Sequence, residues 1–231
     1  MLVKICGVTT PGDMEPLGRA GADLVGLWHG VPGGHADLPT HDLAPLAAAA
    51  HRVPGLRPVL VTFLQDAGAL RTVLAGAGVR WVQLHGYQPP GMVRALKSAG
   101  EFTVVKVVHL DAGGCVERPL IAAYERAGTD LFLLDTVARD GRIGSTGQPP
   151  DPGAVLAIAD RLSRPFLLAG GVSDRDRGDR RAVGDHPLFR GIDVDTAARD
   201  PGGRLRAGRV RAVSRSWRTP HGTGDGSGAT R

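Results

Sequence analysis

A closed barrel of eight parallel strands ringed by helices, the single-domain (β/α)8 or TIM-barrel class of α/β folds, is what the sequence predicts. Three observations carry this. Short apolar runs recur eight times, most of them ending in a polar or glycine-rich turn. Stretches rich in Ala, Leu and Arg at helical spacing lie between them. No G-x-G-x-x-G follows the first run, where an open doubly wound sheet would usually carry its dinucleotide loop. Strands that alternate with helices pair in parallel through right-handed crossovers. A chain of 231 residues with 42% hydrophobic content can bury one sizeable core. The barrel is expected over residues 1–218, and a Gly/Ser/Thr-rich, apolar-poor, disordered tail over 219–231.

The elements follow in order. The first strand, 2–6 (LVKIC), runs into Gly7 and a helical stretch at 12–21. The second, 23–28 (DLVGLW), is separated by a Gly/Pro-rich turn from a helix at 42–52. Strand 58–63 (PVLVTF) precedes helix 67–77, and strand 80–84 (RWVQL) precedes helix 90–99. Strand 103–108 (TVVKVV) leads to a helix at 116–127, and strand 130–135 (DLFLLD) to one at 152–162. Strand 165–169 (PFLLA) ends in Gly170-Gly171, and strand 190–194 (RGIDV) is followed by a final helix across Arg204–Arg218. Aromatics make up only 4% of the chain, so Val, Leu, Ile and Ala must fill these strands, as is usual in parallel sheets.

Composition narrows the function. No apolar run approaches the roughly 20 residues that a membrane helix needs. The start MLVKICG lacks the basic and apolar regions of an export signal. Two cysteines without a framework of spacings point to free thiols in a reducing compartment, so a cytoplasmic protein is expected. The net charge of +5 comes from arginines spread along the chain, and only Lys4, Lys97 and Lys106 are lysines. Without aromatics interleaved to stack bases, this is a solvated surface, and the expected partner is a small molecule rather than nucleic acid or membrane.

Chemistry in such a barrel sits where the strands end. The first strand ends in Cys6, the fourth in Gln83-Leu84-His85-Gly86 and the sixth in Asp135-Thr136. The loop after the sixth holds Gly144-Ser145-Thr146-Gly147, and the eighth strand carries Asp193 and Asp195. Cys6 and Asp135 form a thiol and carboxyl pair on opposite sides of one mouth, suited to moving a proton between two atoms of one substrate. Lys4 shares a strand face with Cys6 by period-two alternation, and its ammonium is expected to lower the thiol pKa. Gly170 and Gly171 serve a tight turn or let a ligand approach backbone amides. Cys115 reads as structural filler at a helix start, and Asp195 has no assigned role.

K-I-C-G, Q-L-H-G, L-L-D-T, G-x-T-G and L-A-G-G-V, in that order at strand ends, resemble the phosphoribosylanthranilate isomerase family from residue 2 to about 195. The resemblance implies an Amadori rearrangement of an N-glycosylamine, aminoaldose to 1-amino-1-deoxyketose, in tryptophan biosynthesis. Cys6 would be the general base and Asp135 the general acid. Lys4, His85, Gly147, Gly170, Gly171, Asp193 and Thr196 would meet a phosphorylated N-glycoside. No metal or redox cofactor is implied, and the chain would be a monomer or homodimer. Two departures stand out. The S-P-R arginine usual after the second strand is missing from Gly30–Asp37. The usual D-V-S-S-G-V-E after the eighth strand reads Asp193-Val194-Asp195-Thr196-Ala197-Ala198-Arg199. A carboxylate about 6 Å from a phosphate repels it by roughly 3 kcal/mol per unit charge, unless Arg199 or another cation compensates. Two other readings follow from the departures: an Amadori-type isomerase of secondary metabolism acting on a different N-glycoside, and a barrel that binds a ligand without turnover.

Overall fold

In the computed structural model, residues 1–111, 114–137 and 150–219 are described. The strands are β1 (Leu2–Ile5), β2 (Leu24–Trp28), β3 (Arg57–Thr62), β4 (Trp81–Leu84), β5 (Thr103–Asp111), β6 (Gly114–Cys115), β7 (Leu131–Thr136), β8 (Phe166–Leu168) and β9 (Phe189–Val194). All except β6 form one ring, in which neighbours pair in parallel and β1–β9 and β4–β5 complete the closure. The helices are α1 (Met14–Arg19), α2 (Thr40–His51), α3 (Ala67–Ala77), α4 (Pro90–Ala99), α5 (Ile121–Ala127), α6 (Pro152–Ala159), α7 (Arg181–Gly184) and α8 (Ala207–Arg218).

Period-two alternation gives each strand two different faces. Val3, Ile5, Val82, Phe132, Leu168 and Ile192 face outward and are buried under the helices. Leu131, Leu133, Val105, Val107 and Leu167 face inward and plug the barrel, so its interior is a packed core below a polar mouth. In α8, Val210, Val213 and Trp217 are buried while Arg209, Arg211 and Arg215 stay exposed. The arginine cluster is thus the solvated face of an amphipathic helix.

The expected boundaries shift in three places. The first helix is shorter than 12–21, because a 3₁₀ turn at Pro11–Asp13 precedes α1 and Gly21 takes φ +100° behind it. The fifth strand runs beyond 108 to Asp111, and β6 folds back on it, pairing Leu110 with Cys115. This backbone pairing displaces the helix expected from 116: a 3₁₀ turn at Arg118–Leu120 comes first, and α5 starts at Ile121. Cys115 therefore lies on a strand rather than at a helix start. The Gly144–Gly147 loop and, apart from Thr219, the expected tail lie outside the described residues. No helix among the described residues is long and apolar enough to cross a membrane.

Lys106 breaks the outward apolar pattern of β5. Its ammonium, fully buried, donates to the carbonyls of Gly86 (2.8 Å) and Val107 (2.6 Å), lies 3.8 Å from Glu117 and stands over the Tyr124 ring. Burial lowers its pKa to about 8 against the pull of Glu117. Between that value and the ordinary 10.5 the folded chain binds fewer protons than the unfolded one, so this group's penalty is full below pH 8 and fades as pH rises. The stability of wild type relative to Lys106→Met should therefore rise by about 3 kcal/mol from pH 8 to pH 10.5 in urea unfolding. A difference that does not change with pH would refute a perturbed amine.

Candidate active site

The inward alternation of β1 carries Lys4 and then Cys6 into the mouth, and Gly7 at φ +71° turns the chain away. Cys6 continues the strand by donating its N–H to the Val194 carbonyl at 2.8 Å. Room for both side chains comes from Gly26 on the neighbouring β2. A Cβ there would sit 2.8 Å from Cys6 Sγ and 3.2 Å from Lys4 Nζ. Gly26→Ala should consequently displace the thiol and ammonium and lower turnover at least tenfold while the barrel still folds, measured as kcat beside circular dichroism. Unchanged kcat would mean that the displaced groups are not used.

Lys4, almost completely buried, bridges two groups: its ammonium donates to Asp193 Oδ2 at 2.7 Å and to Cys6 Sγ at 3.1 Å. Trp28, on the same side, donates its indole N–H to Sγ at 3.0 Å. Burial opposes the Lys4 charge, but Asp193 and the Cys6 sulfur outweigh it and hold the amine protonated. Burial also lifts the Asp193 carboxyl above the usual range, against the attraction of Lys4. The expectation for Cys6 is corrected. Lys4 does pull the thiol down, yet burial and the nearby Asp193 charge win and push it up to about 12. At neutral pH Cys6 therefore rests as a thiol.

Asp135 ends β7 on the far wall, three places round the ring from β1. Its Oδ1 accepts from the Thr136 N–H at 2.8 Å, and His85 Nε2 lies 3.4 Å from Oδ2. Gln83 Nε2 lies 2.9 Å from His85 Nδ1. An amide nitrogen only donates, so Nδ1 accepts and Nε2 carries the proton that faces Asp135. Burial works to raise the Asp135 pKa, but His85 and the Thr136 N–H outweigh it and hold the carboxyl below the usual range. Burial keeps His85 less basic than usual.

The site also contains groups that the sequence reading missed. His109 pairs in register with Asp135, and its ring meets His85 edge-on at 5.7 Å. Its Nδ1 lies 2.6 Å from Glu117 Oε1, which holds Glu117 ionised below its usual range despite burial. Had strand 103–108 been extended by one residue, alternation would have placed His109 beside Asp135. Nothing in the sequence signals that Glu117 folds back to it or that Trp28 reaches the thiol.

No protein-family model matches the chain. The N-(5'-phosphoribosyl)anthranilate isomerase of Halobacterium salinarum is 32% identical over 226 residues, covering 94% of this chain and 96% of its own. That of Afipia carboxidovorans is 30% identical over 222 residues, covering 94% and 89%. The chain belongs to the phosphoribosylanthranilate isomerase family. It is an isomerase of the intramolecular aldose–ketose type, in tryptophan biosynthesis. Solved structures share its fold. The Thermus thermophilus phosphoribosylanthranilate isomerase superposes with a TM-score of 0.75 at 22% identity, covering 94% of this chain and 98% of its own. A phosphoribosylanthranilate isomerase in complex with reduced 1-(o-carboxyphenylamino)-1-deoxyribulose 5-phosphate does so with a TM-score of 0.73 at 22% identity, covering 94% and 98%.

The two departures in this isomerase take concrete form. The carboxylate of Asp195 does not stand bare: Arg199 Nε donates to its Oδ1 at 2.6 Å, and His35 Nε2 lies 3.5 Å from Oδ2. The same guanidinium donates from Nη2 to the carbonyls of Cys6 (3.2 Å) and Gly7 (2.6 Å) and from Nη1 to that of Gly203 (2.9 Å). The loop after β2 folds over the thiol, with Val31 and Ala36 packed against Cys6 and Trp28. Gly170 and Gly171 follow β8 at φ +78° and +58°, a backbone that only glycine adopts readily. Thr196 opens the 3₁₀ turn after β9 and is exposed. Gly147 lies outside the described residues.

Proposed function

We propose that this isomerase rearranges N-(5'-phosphoribosyl)anthranilate, with Cys6 as general base and Asp135 as general acid. The observation that carries this is the burial of both groups in one polar mouth, each with donors already aimed at its anionic form. Asp135 as an acid gives its proton to the furanose ring oxygen, the ring C–O bond breaks and a Schiff base forms. The Cys6 thiolate removes the C2' proton, the electron pair moves to give an enolamine, and tautomerisation to the ketose returns a proton to C1'. After these steps Cys6 is a thiol and Asp135 a carboxylate.

That end state is the resting form that burial and the neighbouring groups favour, since Cys6 is pushed up to about 12 and Asp135 is held low. A proton must return from Cys6 to Asp135 before each turnover. The working form, thiolate with carboxylic acid, carries the same number of protons as the resting form, so its share does not change with pH between the two pKa values. From about pH 5 to pH 9 kcat/KM should be flat as far as these two groups set it. A slope of one inside that window would show that another group controls the step. Asp193 Oδ1, buried and without a partner among the described residues, is placed to accept a substrate hydroxyl. Such a bond spreads the charge that opposes the thiolate.

Arg199 supports a phosphorylated substrate, because it neutralises the carboxylate that would repel the dianion. The test compares kcat/KM for N-(5'-phosphoribosyl)anthranilate and its dephosphorylated glycoside. A preference of at least about 100-fold for the phosphorylated form is expected, on the scale of one charge-assisted contact. Arg199→Met should raise KM for the phosphorylated form about tenfold, and Arg199→Met/Asp195→Asn should recover most of that loss. Equal turnover of both glycosides, or turnover of neither, would refute the substrate assignment.

A further inference from the structure

We propose that Trp28 is a positioning residue for the isomerisation: its indole N–H and the Lys4 ammonium form a two-donor cradle that holds Cys6 Sγ as the proton-accepting thiolate. This rests on Cys6 being the base. The two donors reach the sulfur from different strands, Lys4 at 3.1 Å from β1 and Trp28 at 3.0 Å from β2. Both are buried, so water competes with neither bond. The cradle works like an oxyanion hole, with donors fixed in advance where negative charge must be held. The indole has an advantage over a second cation. It donates one hydrogen bond and adds no net charge to balance in the interior.

Lys4 cannot do this alone, because it is shared with Asp193 at 2.7 Å. Among the described residues Trp28 Nε1 makes its bond to Sγ only, so its effect falls on the sulfur. Its ring packs in one buried cluster with Val31 and Ala36 and meets His35 edge-on at 4.8 Å between centroids. Among the described residues the other charged groups facing Cys6 are Asp193 and Asp195, with Arg199 bound to the Cys6 carbonyl, and across the mouth Asp135 and His85. None of them donates to Sγ among the described residues.

The test replaces Trp28 by 3-benzothienylalanine, which keeps the ring shape and puts sulfur in place of the N–H. Trp28→Phe serves as the simpler variant. Both are made in a Cys115→Ser background, so that iodoacetamide reports on Cys6 alone. Below its pKa the alkylation rate follows the thiolate fraction, and losing one hydrogen bond to an anion should slow alkylation about tenfold at every pH from about 7 to 9. The kcat plateau should fall about tenfold with KM unchanged, because the bond matters only when the thiolate forms. Alkylation within twofold of wild type in the benzothienyl variant would overturn the cradle, and so would loss in Trp28→Phe alone, since that would mark ring shape as the cause. Slowed alkylation with unchanged kcat would leave the cradle standing but remove Cys6 as the base.

Discussion

Cys6→Ser and Asp135→Asn are each expected to lower kcat by about 10²- to 10⁴-fold, the scale of losing a general base or acid. The serine hydroxyl keeps the volume and can still accept from Lys4 and Trp28, but it gives up its proton far less readily than a thiol. The amide introduced by Asp135→Asn can accept from the Thr136 N–H as the carboxylate does, at 2.8 Å, yet it has no proton to give a ring oxygen. Folding should be preserved in both variants, and circular dichroism with thermal unfolding checks this before rates are compared. The effects should also be non-additive. Once one half of the proton exchange is gone the other half has little to act on, so the double variant should be little slower than the worse single one. Near wild-type turnover in either folded variant would rule out the proposed exchange.

Lys4→Met should have the largest effect on stability. It leaves Asp193 buried with its main counter-charge removed, and breaking a buried pair in this way costs about 3–5 kcal/mol. The sign of its pH dependence is determined. Without Lys4 the Asp193 carboxyl, already lifted by burial, titrates higher still, so the folded variant binds a proton that the unfolded chain does not. The penalty is then full above the folded pKa and shrinks as pH falls through it. Urea unfolding at pH 7.5 and pH 5 should show the variant closer to wild type at the lower pH. Lys4→Met/Asp193→Leu should recover most of the stability at pH 7.5 while leaving kcat depressed, because Cys6 has lost its ammonium. A Lys4→Met penalty that grows toward pH 5 would contradict a buried, charged Asp193.

Much of the barrel was legible in the sequence because its signal is local. Each apolar run lies within a residue or two of an observed strand, except where β5 runs on to Asp111. That extension was missed because His109 and Asp111 are polar, and a run judged by apolar content stops before them. The same omission hid His109 as a neighbour of Asp135. Cys6, His85, Asp135 and Asp193 could be placed at one mouth because they stand at strand ends, where a barrel collects its chemistry. Gly26 sits in mid-strand and looks like a defect in an apolar run, and only the room it leaves for Cys6, whose Sγ would lie 2.8 Å from a Cβ at that position, explains it.

The fold class and the placement of Cys6 and Asp135 at one end of the barrel can both be read from residue order along the chain. Alternation and strand order are properties of neighbouring residues, and they survive without any knowledge of distance. Protonation states follow from the folded arrangement instead. Lys4 beside Cys6 in sequence predicts a lowered thiol pKa, but the fold brings Asp193 from 189 residues away to 2.7 Å from the same ammonium and buries all three groups. Desolvation and a long-range charge then outweigh the local one, and the thiol rises instead. Asp195 shows the same dependence in the opposite direction. In sequence it is a carboxylate where the resemblance implies a phosphate and Arg199 is one candidate to compensate; in the fold that guanidinium lies 2.6 Å away and offsets its charge. Charge balance in a buried site is a sum over everything within a few ångströms, and that sum exists only once the chain has folded.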